Sequence, residues 1–265
     1  MIYNQILKSR YSDWSSIEKE IEKLSTTYLK GEVFEQFIYA YLLLNKQLYQ
    51  INELYRSSEI PNKYLKKYKL EKKDSGVDGL IILNNGKAAA YQVKFRTDRK
   101  KPSYDDLAKF WVEAQHTDLN YTIANCYSLT NLSKKQEKHL QILVDDLDIL
   151  DDDFFQSLYT LTNKQKVVDR VKYKPYHFQK EIIKDAINGF KTSNRGKVIA
   201  ACGTGKTLTS LWITEKTNAN TVLFLAPSLA LIKQTLEAWA NQSNKLFSYL
   251  AVCSDKSVSL DEDDN

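Results

Sequence analysis

Apolar residues recur along the chain in two rhythms, and the change from one to the other divides it into elements. Phe34, Phe37, Ile38, Tyr41 and Leu42 fall on one stripe at helical spacing. This predicts a helix that begins after Gly31, with Glu32 and Glu35 on its first turns. Upstream, Ser15 followed three residues later by Glu18 has the spacing of a capping box and opens another helix. The runs "VDGLIIL" and "AAAYQVKF" are short and rich in apolar residues, and "NNGK" joins them. Its Asn-Gly step is a strong hairpin signal, so two antiparallel strands are expected. After Pro102, "SYDDLAKFWVEA" reads as a helix, "YTIANCYSLT" as a third strand and "SKKQEKHLQIL" as another helix. The predicted order is α, β, β, α, β, α.

From Val144 to Asp153 the chain turns acidic, and from Lys164 to Lys174 it turns basic without strong periodicity. Both runs read as solvated surface, and a domain boundary is expected near Lys166, giving domains 1–165 and 166–265. Beyond it, "YHFQKEIIKDAINGF" predicts a helix, and "GKVIAACGTGKTLTSLWIT" a strand, a glycine-bearing turn and a helix. The apolar strand "TVLFLAP" and a helix from near Ser228 complete a βαβ unit. The last residues, "SVSLDEDDN", form an acidic polar run rather than following a completed element, which suggests a chain that continues.

Composition narrows the classes. There are 38 basic and 33 acidic side chains, a net +5, which permits an anionic partner without requiring one. Cys126, Cys202 and Cys253 lie far apart with no CxxC pair. Neither a disulfide framework nor a zinc site is suggested, and a reducing cytoplasm fits. The chain has no apolar run of signal-peptide length, and none near the roughly 20 residues needed to span a bilayer. A soluble, cytoplasmic protein with no membrane partner is expected.

Two stretches carry chemistry. In "AACGTGKT", Gly203, Gly205, Lys206 and Thr207 follow an apolar run and open a helix, the setting a phosphate loop needs. Glycines there let backbone N–H groups converge on phosphate oxygens, Lys206 bridges the outer phosphates, and Thr207 can ligate Mg²⁺. The generic pattern has glycine where Ala200 stands. The form A-x-x-G-T-G-K-T resembles the loop of superfamily 2 helicases and translocases, which implies ATP bound by Gly203, Thr204, Gly205, Lys206 and Thr207. By the same resemblance Gln179 in "YHFQ" would read the adenine edge, and Pro227 and Ser228 in "LFLAPSLALIKQ" would touch the DNA backbone. The family's Asp-Glu motif, which holds Mg²⁺ and orients the attacking water, has no match. "DEDD" at Asp261–Asp264 follows a polar stretch and lies too close to Lys206. Only the first part of a motor lobe is expected, with negligible ATP hydrolysis.

The second stretch is Asp78 at the start of one expected strand, with Gln92 and Lys94 two residues apart on the next and so on one face of it. Phosphodiester hydrolysis needs on the order of 20 kcal/mol of barrier lowering. Oxygen ligands around Mg²⁺ and a nearby ammonium can contribute much of that. This pattern, with Gly76, Gly79 and the upstream Phe34-Glu35 pair, resembles the Mrr-like branch of the PD-(D/E)XK nucleases. The resemblance implies an α/β fold with a restriction-endonuclease-like mixed sheet flanked by helices, followed by an incomplete RecA-like P-loop lobe. It also implies Asp78 as principal metal ligand, Gln92 in place of the commoner Glu, Lys94 as catalytic lysine and the Val93 carbonyl as a further ligand. Glu35 would be the supporting acid, with Glu32 its rival, and Asp74 would stand in the family's acidic loop. Arg96, Arg99, Lys100 and Lys101 would suit DNA phosphates.

A nuclease joined directly to such a motor resembles ATP-driven restriction enzymes, most of all the type ISP group. There the motor is followed by coupler and methyltransferase domains, and double-stranded DNA is the substrate. A type I motor subunit, a repair or antiphage helicase-nuclease and a noncatalytic DNA-binding module are the alternatives.

Overall fold

Two side-chain oxygens start the first helices. Asp13 accepts the N–H of Ser16 at 2.8 Å and caps α1 (Trp14–Glu22); Thr26 accepts that of Leu29 at 3.2 Å and caps α2 (Thr27–Leu44). Both begin upstream of the expected positions. Ser15 lies inside α1, and Gly31 lies inside α2, where the buried stripe of Phe34, Phe37 and Ile38 outweighs glycine's poor propensity. The structure is a computed structural model describing residues 4–71, 76–129, 139–164, 166 and 172–252. It divides into two units, Met1–Val171 and Lys172–Asn265.

In the first unit the chain continues through β1 (Ile51–Arg56), α3 (Asn62–Tyr68), β2 (Gly79–Leu83), β3 (Ala88–Lys94) and α4 (Tyr104–Glu113). Next come β4 (Leu119–Ala124), β5 (His139–Ile142), α5 (Val144–Asp148) and α6 (Asp152–Lys164). The sheet order is β1-β2-β3-β4-β5, antiparallel through β3 and parallel from β3 to β5. The hairpin between β2 and β3 turns at Gly86, whose φ of +81° suits a residue without Cβ. Both faces are covered. Ile81, Leu83, Ala89, Tyr91 and Val93 pack with α1, α2 and α6, while Leu80, Ile82, Ala88 and Ala90 pack with α3 and α4. This explains why β3 reads as a run rather than an alternation.

The pattern along the chain misleads in three places. β1 is absent from the predicted order because "INELYR" carries three polar residues and is short. His139–Ile142, expected in a helix, pairs with β4 as a parallel strand that buries Ile142; the residues before it lie outside those described. The acidic run holds α5 and the start of α6, which bury Val144, Leu147, Phe154 and Phe155, so only its polar face is solvated.

The second unit contains α7 (His177–Gly189), α8 (Lys206–Thr217) and α9 (Leu229–Gln242), the last capped by Ser228. The Trp239 indole N–H donates to the Thr207 carbonyl at 2.9 Å, and Glu215 accepts the Asn244 N–H at 2.7 Å, tying α9 and the residues after it to α8. The two strands expected here do not pair: no strand is present among the unit's described residues, and Ile199, Leu223 and Leu225 are each more than 80% exposed (84%, 82% and 81%). Strands of a parallel sheet need neighbours and cover on both faces, which these runs lack. No helix among the described residues is long and apolar enough to cross a membrane.

Candidate metal and nucleotide sites

Asp78 stands where the ladder between β2 and β3 gives way to a side chain. Regular pairing ends at Gly79 opposite Tyr91; the Asp78 N–H still donates to the Tyr91 carbonyl at 2.9 Å. The Val93 N–H then donates to Asp78 Oδ2 at 2.7 Å. From the other side, the Ser57 N–H donates to the Asp78 carbonyl at 2.9 Å. Gly76 turns the chain into this position with φ +71°, and a Cβ there would lie 3.3 Å from the Phe110 nitrogen. Through Val93, the carboxylate is fixed one residue from both Gln92 and Lys94.

Burial pushes the Asp78 carboxyl up to about 6, against the pull of the Val93 N–H and the Lys94 charge. Glu35 on α2 is exposed. Protein crowding around its carboxyl, and then the Asp78 charge, push it up to about 7, with Lys94 opposing and Glu32 adding a little. Lys94 thus acts on both acids. Gln92, 3% exposed, has a buried Oε1 with no hydrogen-bond partner. A buried orphan acceptor costs about 1–3 kcal/mol. The Asp78 and Glu35 carboxyls act on one another, and paired carboxylate oxygens are the donors a hard divalent cation takes. Among the described residues no group of three or more His, Cys, Asp or Glu side chains is gathered for a metal. Asp74 lies outside the described residues.

The basic stretch after β3 divides in two. Arg99 is bound to the buried Glu18, with Nη2 2.6 Å from Oε2, and also donates to the Tyr127 hydroxyl at 2.6 Å. Arg96 pairs with Asp106, and its backbone is held by Asn125, which accepts its N–H at 2.6 Å and donates to its carbonyl at 3.0 Å. Both arginines anchor the end of β3, whereas Lys100 and Lys101 are exposed. Glu18, which resembled a capping residue in the sequence, is the buried partner of Arg99.

In the second unit Gly203 and Gly205 adopt φ of +79° and +73°, so the loop enters α8 with its N–H groups leading. Lys206 Nζ donates to the carbonyls of Ala200 at 3.2 Å and Ala201 at 2.8 Å. Gln179 is buried, accepts the Tyr176 N–H at 2.8 Å and donates to the Thr204 carbonyl at 2.9 Å, which makes it a brace for the loop. Pro227 and Ser228 are both exposed just before α9.

Residues 172–264 match the family model described as "Type III restriction enzyme, res subunit". The chain is also similar to a solved structure, the ATP-dependent type ISP restriction-modification enzyme LlaBIII bound to DNA. That match has a TM-score of 0.71 and 26% sequence identity, over 88% of this chain and 15% of that one. The chain therefore spans a small fraction of that enzyme's length. No curated protein matches it. Both similarities are to restriction enzymes. Two roles escape sequence reasoning, Glu18 as a partner of Arg99 and Gln179 as a loop brace, because neither contact has a local spacing to reveal it.

Proposed function

We propose that residues 1–165 form a Mg²⁺-dependent DNA endonuclease of the Mrr-like PD-(D/E)XK type, and that residues 166–265 begin a RecA-like lobe of an ATP-driven DNA translocase. The whole protein would be a restriction enzyme of the type ISP kind, with coupler and methyltransferase domains elsewhere in it. One observation carries the nuclease reading: the Asp78 and Glu35 carboxyls are raised together, with the Lys94 charge acting on both. Asp78, Gln92 and Glu35, with the Val93 carbonyl, would hold the ion. When bound, Mg²⁺ polarises a phosphoryl oxygen and lowers the pKa of water. Lys94 offsets charge that develops on the phosphate oxygens, as a compact point charge. The smaller influence of Glu32 on the site favours Glu35 as the supporting acid. Glutamine in place of glutamate leaves the set one charge short, so Mg²⁺ alone should bind weakly; tight binding in calorimetry would count against this reading.

Acidity gives a direct test. Asp78 and Glu35 stand above their ordinary values of 3.8 and 4.5, so the folded chain holds more protons than the unfolded chain up to about pH 7. These groups favour the fold most at low pH and lose that contribution as pH rises through 6 to 7. Asp78→Asn keeps an acceptor for Val93 and removes the charge. It should raise the melting temperature at pH 8 and leave it unchanged near pH 4. Mg²⁺ should raise the wild-type melting temperature at pH 8 and have little effect below pH 6. A Mg²⁺ effect independent of pH would place the ion elsewhere.

In the second unit the loop glycines, Lys206 and Thr207 would hold the phosphates of ATP. Lys206→Ala should weaken ATP binding by about tenfold or more, since it removes a charge-assisted hydrogen bond to phosphate. Equal titration curves for the two proteins would refute the site. ATP turnover at ordinary enzyme rates would refute the expectation that this chain binds without hydrolysing.

A further inference from the structure

A second cation lies across Tyr39 from Glu35, on a strand that has no signal in the sequence. Arg56 is the last residue of β1 and pairs with Gly79, the neighbour of Asp78. Paired residues of antiparallel strands point to one face of the sheet, here the face of Tyr91. The geometry of the side chain agrees: the Arg56 guanidinium lies over the Tyr39 ring, 5.5 Å from its centroid. Tyr39 is on α2 one turn after Glu35, so Glu35, Tyr39 and Arg56 form a row from α2 to the end of β1. The Tyr91 ring lies across Gly79, its hydroxyl donating to the Tyr55 carbonyl at 3.2 Å. Burial and then the charges of Asp78, Tyr39 and Glu35 push that hydroxyl well above its ordinary range, while Arg56 opposes them. One ring thus feels the acids and the guanidinium together.

We propose that Arg56 binds a backbone phosphate of the DNA strand that lies across the Asp78–Glu35 pair. The inference rests on the nuclease reading of the first unit. A row of acids holding a cation attracts one phosphate; an arginine at its end suits the next phosphate along the same strand, because a phosphodiester backbone presents charge at every nucleotide. The planar fork of a guanidinium matches phosphate oxygens in pairs. Arg56 keeps 34% of its side chain exposed, and one of its contacts is an ion pair with Glu59, itself 43% exposed. Exposed pairs of this kind are worth about 1 kcal/mol at most, so a phosphate can displace Glu59.

The test is binding of a short labelled DNA duplex, followed by fluorescence anisotropy across a salt series, with Ca²⁺ replacing Mg²⁺ so that the duplex stays whole. Arg56→Gln should weaken binding about threefold to tenfold. It should also reduce the slope of log K against log salt by about 0.9, as expected when one phosphate fewer is neutralised. Glu59→Gln should tighten binding at low salt. An unchanged slope in a folded Arg56→Gln chain overturns the proposal. If that variant melts early, Glu59→Gln decides, and no tightening is the overturning result. The two readings fail separately. An unchanged slope alongside nicking that depends on Asp78 removes Arg56 and leaves the nuclease. A reduced slope with nicking indifferent to Asp78 removes the nuclease and leaves Arg56 on a phosphate.

Discussion

Alanine at position 78 is expected to lower Mg²⁺-dependent nicking of supercoiled plasmid by on the order of a thousandfold or more, with duplex binding retained. The size follows from what leaves with the carboxyl. A metal ion stabilises a phosphoryl transition state by several kcal/mol, and each 1.36 kcal/mol is a tenfold change in rate. Asp78 is the acid fixed most firmly at the site, held by the Val93 N–H at 2.7 Å and, through its own carbonyl, by the Ser57 N–H at 2.9 Å. Glu35 and Gln92 cannot replace it, since one approaches from α2 and the other carries no charge. Lys94→Ala should lose nearly as much, while Gln92→Glu should strengthen Mg²⁺ binding by restoring a negative charge. Wild-type protein that binds duplex but never nicks it would favour a noncatalytic module instead. Nicking that survives Asp78→Ala would end the assignment.

Gly79→Ala is expected to be the most damaging single methyl group in the first unit. A Cβ at Gly79 would sit inside contact distance of both the Tyr91 phenol and the Tyr55 carbonyl. The carbonyl belongs to β1, which pairs with β2 itself, and cannot move aside without disturbing that ladder. The Tyr91 ring must then leave its place and break its 3.2 Å bond to Tyr55. Overpacking together with the broken buried hydrogen bond amounts to roughly 3 kcal/mol, or a fall on the order of 10 °C in melting temperature. Gly86→Ala is the control. It meets nothing within 4 Å and has only the strain of φ +81°, about 1 kcal/mol. Equal melting temperatures for the two variants would show that the space around Gly79 is not tight.

The hairpin and α4 were legible in the sequence because their signals are local: Asn-Gly at the turn, and Ser103 capping α4 with Asp106 in return. The closeness of Asp78 to the end of the next strand was legible for a similar reason, since a short turn sets the two strands side by side. What stayed hidden depends on contacts between distant residues. The helix period of "SKKQEKHLQIL" gives no sign that β4 will claim His139–Ile142. Arg99 looks like any cation of a basic loop until Glu18, from α1, is brought beneath it. In the second unit the apolar runs around Val198 and Leu223 have the composition of strands, but composition cannot provide the neighbours that would make them pair.

The bond from Val93 to Asp78 has a spectroscopic consequence. Most strand amides donate to a carbonyl, whose charge never changes, whereas this one donates to a carboxylate that titrates. The Val93 amide resonance should therefore shift as Asp78 gains or loses its proton, and shift again when a divalent ion takes up its charge. The Val93 signal would thus follow this one acid among the chain's 33 acidic side chains.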